Sequence, residues 1–255
     1  MGIFGCIHNW GCRYWIPPIT FLSNLYLIMK TISLYSLCII ALLFQSCGDS
    51  TAPTNEPDLI DARNNRTYKT VRIGSQVWMA ENLDVATFRN GDIIPEARTA
   101  EEWIEAANNK TPAWCYYMND LYNTAKYGKL YNGYVITDQR GIAPEGWHVP
   151  SDGEWTVLNT YLGGDSIAGG KMKSTTDWYV PNGNATNSSG FNSKAGGQRN
   201  PVGIFYAFGI EVKYWSNTFS SADSYFVRWL NEANGKLGYG GQNRSRGLFI
   251  RCVKN

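Results

Sequence analysis

Histidine is nearly missing from this chain of 255 residues: there are two, and only His148 lies beyond residue 46. A histidine-rich metal site has too few ligands here. A Ser-His-Asp triad would have to use His148, and no Gly-x-Ser-x-Gly elbow accompanies it. A surplus of charge is missing too. The 23 basic and 21 acidic residues include Arg13, Lys30 and no acidic residue before position 47, so the rest of the chain is formally neutral. A nucleic-acid binder needs a basic face, and this balance argues against one. Closely spaced carboxylate pairs of the glycosidase kind are absent, although distant carboxylates can still meet in space. Beyond residue 46 there are few long aliphatic runs and no internal repeat. Long amphipathic helices would need more Leu, Ala, Glu and Lys.

What the chain does hold is Gly, Asn, Ser, Trp and Tyr, a composition for short strands, many turns and an aromatic core. Its clearest local signal runs from Gly146 to Trp155, a strand end leading into a helix start. Ser151 stands at the N-cap with Glu154 three residues later, the pattern of a capping box. Pro150 disfavours helix just before the cap, and Asp152 places negative charge in the first turn. Trp147 and Trp155 flank the junction, and His148 beside them reads as a hydrogen-bonded structural residue. The helix is expected over Asp152–Leu162, stopped by Gly163-Gly164. A second capping box, Thr99 with Glu102, opens a helix over Thr99–Asn108.

Tyr68–Ile73 alternates like an edge strand, Gly74-Ser75 is a tight turn, and Gln76–Met79 returns as the second arm of a hairpin. Trp114–Tyr117 and Leu130–Val135 are aromatic strand or loop segments. Further strands are expected at Ile204–Phe208, Tyr214–Ser216, Tyr225–Leu230 and Leu248–Val253. Both alternate sets of Tyr225–Leu230 are apolar, which favours a central, two-sided position. Residues 163–203 are Gly- and Asn-rich and largely aperiodic, the kind of long stretch that is usually functional or mobile.

The first 46 residues behave differently. Met29-Lys30 is a short basic start, Ile32–Phe44 an apolar core, and Ser46 a small residue before Cys47. The core is too short for a bilayer, which takes about 20 residues, and has the length of a signal-peptide h-region. The segment resembles a bacterial lipoprotein signal, with Gln45 an imperfect fit to the lipobox. The expectations are therefore a true start at Met29, residues 1–28 an upstream extension, lipidation at Cys47, and a polar tether over 47–57. An uncleaved signal anchor, or a secretory signal with an incidental cysteine, is the alternative.

From residue 58 to 255 an ordered set of segments resembles the Fibrobacter succinogenes major paralogous domain. These are Val71–Leu83, Trp114–Tyr117, Tyr127–Tyr131, Gly146–Trp155, Lys171–Ser174, Gly190-Phe191, Gly196-Gly197, Tyr214–Ser216 and Arg251–Val253. The family is associated with secreted proteins and lipoproteins of Bacteroidetes and Fibrobacteres. The resemblance implies an α+β domain of C-type lectin-like fold, with two main helices, short twisted antiparallel strands and long loops. It implies a place in the cell envelope, as an outer-membrane lipoprotein facing the periplasm or the exterior, more than it implies an activity. The Pro150–Trp155 turn also resembles that of sulfatase-modifying factors.

Cys115 and Cys252 are the only cysteines after Cys47. In an oxidising envelope compartment such a pair reads as a disulfide. The competing reading is a metal-binding thiol pair, as in the copper-dependent formylglycine-generating enzymes, which makes a sulfatase-modifying-factor-like oxidase the alternative function. No other metal site is expected. The nearest matches to the calcium loops of C-type lectins, Val180–Asn182 and Trp215–Asn217, have no acidic partner, so calcium is unsupported. Candidate ligand contacts are Trp178, Tyr179, Asn182, Asn184 and Asn187, then Tyr239, Gln242 and Asn243, as aromatic faces for sugar rings and amides for hydroxyls. The plain alternative is a core Trp178 and turn-forming Asn and Gly. The sequence thus points to a lipid-anchored binding or surface-interaction module rather than an enzyme, with a glycan or another surface protein as partner. A purely structural lipoprotein is the third reading.

Overall fold

The computed structural model describes residues 54–255, so the expectations for the leader, for lipidation at Cys47 and for most of the tether lie outside the described residues. In chain order the first strands are β1 (Thr54–Asn55), β2 (Leu59–Asp61), β3 (Arg66–Tyr68), β4 (Thr70–Ile73) and β5 (Gln76–Met79). Helix α1 (Ala100–Asn108), strand β6 (Trp114–Cys115), helix α2 (Thr124–Tyr127), and strands β7 (Leu130–Tyr131) and β8 (Trp147–His148) follow. Helices α3 (Asp152–Tyr161) and α4 (Ala168–Met172) precede β9 (Gly196–Arg199), β10 (Phe205–Phe208), β11 (Glu211–Ser221), β12 (Ser224–Asn231), β13 (Gly238–Asn243) and β14 (Val253–Lys254). One sheet runs β1-β4-β5-β14-β8, a second β10-β9-β11-β12-β13, and β2–β3 and β6–β7 are small ribbons. The β9–β11 contact is parallel and the other strand pairs are antiparallel. No helix among the described residues is long and apolar enough to cross a membrane.

This corrects the expected α+β, C-type lectin-like fold: the domain is mostly β, and its helices are short accessories. The reason lies in the strands. Val77 and Met79 enter one core while Trp78 enters another; Tyr214 and Trp215 divide the same way, as do Phe249 and its neighbours Leu248 and Ile250. Strands buried on both faces need runs of large apolar residues, and the sequence spends its aromatics there. One core stacks Trp78 on Trp155 at 4.7 Å between ring centres, with Phe191 5.8 Å from Trp78 and Tyr214 5.7 Å from Trp155. The other holds Tyr68, Phe88, Tyr131, Trp215 and Tyr225.

Both capping boxes form. Thr99 Oγ1 accepts from Glu102 N at 3.1 Å and Thr99 N donates to Glu102 Oε2 at 3.0 Å. Glu154 N donates to Ser151 Oγ at 3.2 Å, and Ser151 N donates to Glu154 Oε2 at 2.8 Å. Trp147 and Trp155 are buried on opposite sides of the junction, one in each core.

The hairpin stands as read, except that the strand expected at Tyr68–Ile73 breaks at Lys69. β12 is central, between β11 and β13. Gly133–Val135, within a segment read as strand or loop, is a 3₁₀ turn. Leu248–Val253 differs from expectation, giving isolated bridges before the two-residue β14. So does Gly238–Asn243, read as a contact loop, which is an edge strand on β12. A Cβ on Gly238 would lie 2.2 Å from the Trp229 ring, so glycine lets that indole lie across the strand.

Candidate functional site

Three buried cations organise the irregular parts of the chain. Arg199 donates to the carbonyl oxygens of Ala97 at 2.6 Å, Thr99 at 2.7 Å and Gly203 at 3.0 Å. Lys173 Nζ donates to those of Gly183 at 2.7 Å, Asn234 at 2.9 Å and Asn231 at 3.0 Å, pinning the 173–195 segment to the end of β12. Arg251 donates from Nη2 and Nε to Asn82 Oδ1, at 2.7 and 3.1 Å, and from Nη1 to the Phe191 carbonyl. Its guanidinium also stands 4.2 Å from the centre of the Phe191 ring. Among the described residues no carboxylate pairs with any of the three side chains by salt bridge. Main-chain oxygens, and for Arg251 the Asn82 side-chain amide oxygen as well, meet the desolvation cost instead.

Arg251 is the floor of a cleft. Asn82 uses its amide NH₂ on the Tyr127 carbonyl at 2.9 Å, so the segments around 82, 127, 191 and 251 are locked together. Gly128 makes this approach feasible: at φ +75° it presses on Asn82, and a Cβ would meet the Leu83 carbonyl at 3.0 Å. The cleft holds about 80 Å³ and carries Arg66, Glu81, Lys126 and Lys194 on its walls. Ala80 and Asn192 also line a neighbouring groove of about 440 Å³, so the two hollows adjoin. That groove is bordered by Glu56, Asp58, Lys69, Thr70 and Asn187. Four segments that carry the family resemblance, around 80–82, 127–128, 190–191 and 251, thus meet at one polar hollow.

The electrostatics of the rim are unbalanced. Arg66 reaches Asp84 at 2.5 Å and Glu81 at 3.8 Å. Asp84 is shared, since the buried Lys129 also pairs with it. Lys126 and Lys194 share a single carboxylate, Asp177: Lys126 is bonded to it and Lys194 lies 3.7 Å away. Burial would raise the Asp177 carboxyl, but the two ammonium groups outweigh it and hold the group below its usual range. Two residues on, Tyr179 is 57 % exposed and bonds through its N–H to the Gly209 carbonyl at 2.7 Å. Its ring lies against Gly209.

Of the residues singled out in the sequence, the structure keeps some together and parts others. Trp178 is half-buried against the core and donates from Nε1 to the Ser193 carbonyl at 2.9 Å. Asn182, Asn184 and Asn187 have positive φ and build turns, with Asn187 also on the groove. Tyr239, Gln242 and Asn243 sit on β13, at the opposite edge of the second sheet from β10. Tyr239 lies under Arg228 at 4.9 Å, and Asn243 Oδ1 accepts from the backbone and hydroxyl of Ser245 at 2.9 and 2.6 Å. They form no common site with Tyr179. His148 bridges Glu154 Oε1 and Asn255 Oδ1, both at 2.6 Å, while Ser151 bonds Glu154 rather than the imidazole. This is an extended cap, not a catalytic triad.

The expected disulfide is not formed. Cys115 and Cys252 are free, buried thiols, one in each core, because Cys252 points away from its neighbour Val253 across a two-sided strand segment. Burial pushes both thiols up to about 12. The two-thiol copper site of the oxidase alternative is not brought together either. Among the described residues no three His, Cys, Asp or Glu side chains converge on one point. Sequence reading missed Arg66, Glu81, Asn82, Lys126 and Lys194. Glu81-Asn82 and Tyr127-Gly128 lay inside segments already marked by the resemblance, but nothing local in the sequence marked the two lysines.

A family model described as the Fibrobacter succinogenes major domain matches residues 71–254, well over half of the chain. No curated protein and no solved structure matches it.

Proposed function

The chain belongs to the Fibrobacter succinogenes major domain family, and on that footing we propose that it is a lipid-anchored cell-envelope protein whose β domain binds glycan in the hollow beside Asn192. The observation that carries the binding half of this reading is the polar cleft and the mixed polar and apolar groove that adjoins it, built where four marked segments meet. A polyhydroxylated ligand suits such a surface: amides, hydroxyls and charged ends supply hydrogen bonds. The anchoring half rests on residues 29–47, whose basic start, apolar core and Ser46-Cys47 end have the order of a lipoprotein signal.

Two experiments test it. Intact mass of the mature protein should show a lipid-modified Cys47 at its start; a product retaining residues 29–46 contradicts the anchor. The detergent-solubilised full protein on a broad glycan array should bind a subset of oligosaccharides. No binding anywhere on the array favours the purely structural lipoprotein.

A further inference from the structure

The adjoining groove and cleft differ in charge. The groove carries Glu56 and Asp58 against Lys69; Asp58 holds the Lys69 ammonium at 2.7 Å, and Glu56 is paired at 2.5 Å with Arg72 outside the lining. The cleft is not matched. Arg66, Lys126, Lys194 and Arg251 line it, with Glu81 as the one carboxylate on its walls. Behind the wall, Asp84 serves both Arg66 and Lys129, and Asp177 serves both Lys126 and Lys194. Each of these two carboxylates is thus divided between two cations, and positive charge is left over in a chain whose body is formally neutral.

The leftover charge sits on groups that can reach a ligand. Arg251 is only 1 % exposed and its donors are engaged with Asn82 and Phe191, so it contributes field rather than contact. Lys126 and Lys194 keep 42 % and 27 % of their side-chain surface open. At 3.7 Å from Asp177, Lys194 has an ion contact but not a close hydrogen bond, so its ammonium is the cation least committed to the protein. The space available, about 80 Å³, admits a small charged group, not a whole sugar ring with its neighbours. The remainder of a chain-like ligand would lie in the larger groove past Ala80 and Asn192.

We infer that the cleft is an anion subsite that reads the carboxylate of an acidic glycan, with Lys194 and Lys126 as its ion-pair partners and the groove holding the neighbouring sugar units. A ligand carboxylate set between the two ammonium groups completes an alternating square with Asp177, two cations and two anions, without moving the buried bonds of Arg251. A glycan is favoured over an acidic peptide because amides and ions border an open groove whose aliphatic lining, Val71 and Ala80, is small and offers no deep pocket for a large peptide side chain. This deepens the glycan reading and depends on it.

The test is calorimetric titration of the full-length protein in detergent with oligogalacturonate, alginate oligosaccharides and glucuronate-bearing oligosaccharides. Each is paired with its carboxyl-reduced, neutral counterpart. At least one acidic ligand should bind ten-fold or more tighter than its neutral counterpart, and that margin should shrink as salt rises from 50 to 300 mM. Lys194→Gln should cut acidic-ligand affinity to near that of the neutral counterpart, with the melting temperature as the check that the variant is folded. Lys194→Arg should restore it. If neutral and acidic partners bind alike, the anion subsite is wrong and the glycan groove stands. If no oligosaccharide binds at all, both fall. Equal or tighter binding of an aspartate-rich peptide overturns the choice of glycan.

Discussion

Two sets of cations in this domain do opposite work. Lys173, Arg199 and Arg251 are buried and capped by main-chain or amide oxygens; Arg66, Lys126 and Lys194 stand at a rim and compete for shared carboxylates. The first set ties chain segments around 97–99, 183, 191, 203 and 231–234 together by bonding their carbonyls. The second leaves charge unspent at an opening. Burial, not residue type, separates a cation that holds the fold from one that is free to meet a ligand.

The comparison can be broken at its strongest point. Arg251→Met leaves Asn82 Oδ1 and the Phe191 carbonyl without their donor in the core, and is expected to cost about 3 kcal/mol, read as a fall in Tm by calorimetry. A change below 1 kcal/mol would mean that water or a neighbour replaces the guanidinium and that the buried set is not structural. Gly238→Ala tests a packing constraint away from both sets. The added methyl meets the Trp229 ring, and a loss of about 2 kcal/mol should follow, with altered near-ultraviolet dichroism.

Smaller and pH-dependent is the cap at Glu154. Burial raises its carboxyl, but Ser151's backbone N–H, the Ser151 hydroxyl and His148 outweigh burial and hold it below the ordinary 4.5. A depressed carboxylate stabilises the fold above its unfolded pKa and loses that contribution as pH falls through the folded value. Wild type should therefore exceed Glu154→Gln by about 1 kcal/mol at neutral pH, with the gap closing in acid below the ordinary carboxylate range. A gap that widens in acid contradicts this assignment. Smallest of all, Lys194→Gln should move stability by less than about 0.5 kcal/mol, since an exposed ion pair contributes little.

The local signals in the sequence were strong where a few neighbouring residues set the structure. Thr99 with Glu102, Ser151 with Glu154, and Gly74-Ser75 between two apolar arms specify caps and a turn without help from the rest of the chain. The family was legible from the order of its segments. The fold class was not, because alternation of Trp78, Tyr214 and Phe249 between two cores is a property of sheets already assembled. β13 was hidden for a related reason: glycine disfavours strands unless a ring such as Trp229 claims the space. The candidate site was half legible. Asn82, Tyr127 and Arg251 fell within marked segments, while Lys126 and Lys194 become a pair only through Asp177, and Arg66 joins them only across the assembled cleft.

Backbone hydrogen exchange of the full protein, with and without the tightest-binding oligosaccharide, locates the ligand most directly. The account predicts added protection at Glu81-Asn82, Lys126–Gly128 and Asn187–Lys194, with Gly238–Asn243 unchanged. Protection confined to Gly238–Asn243, or spread evenly over the domain, would contradict a binding hollow at the meeting of these segments.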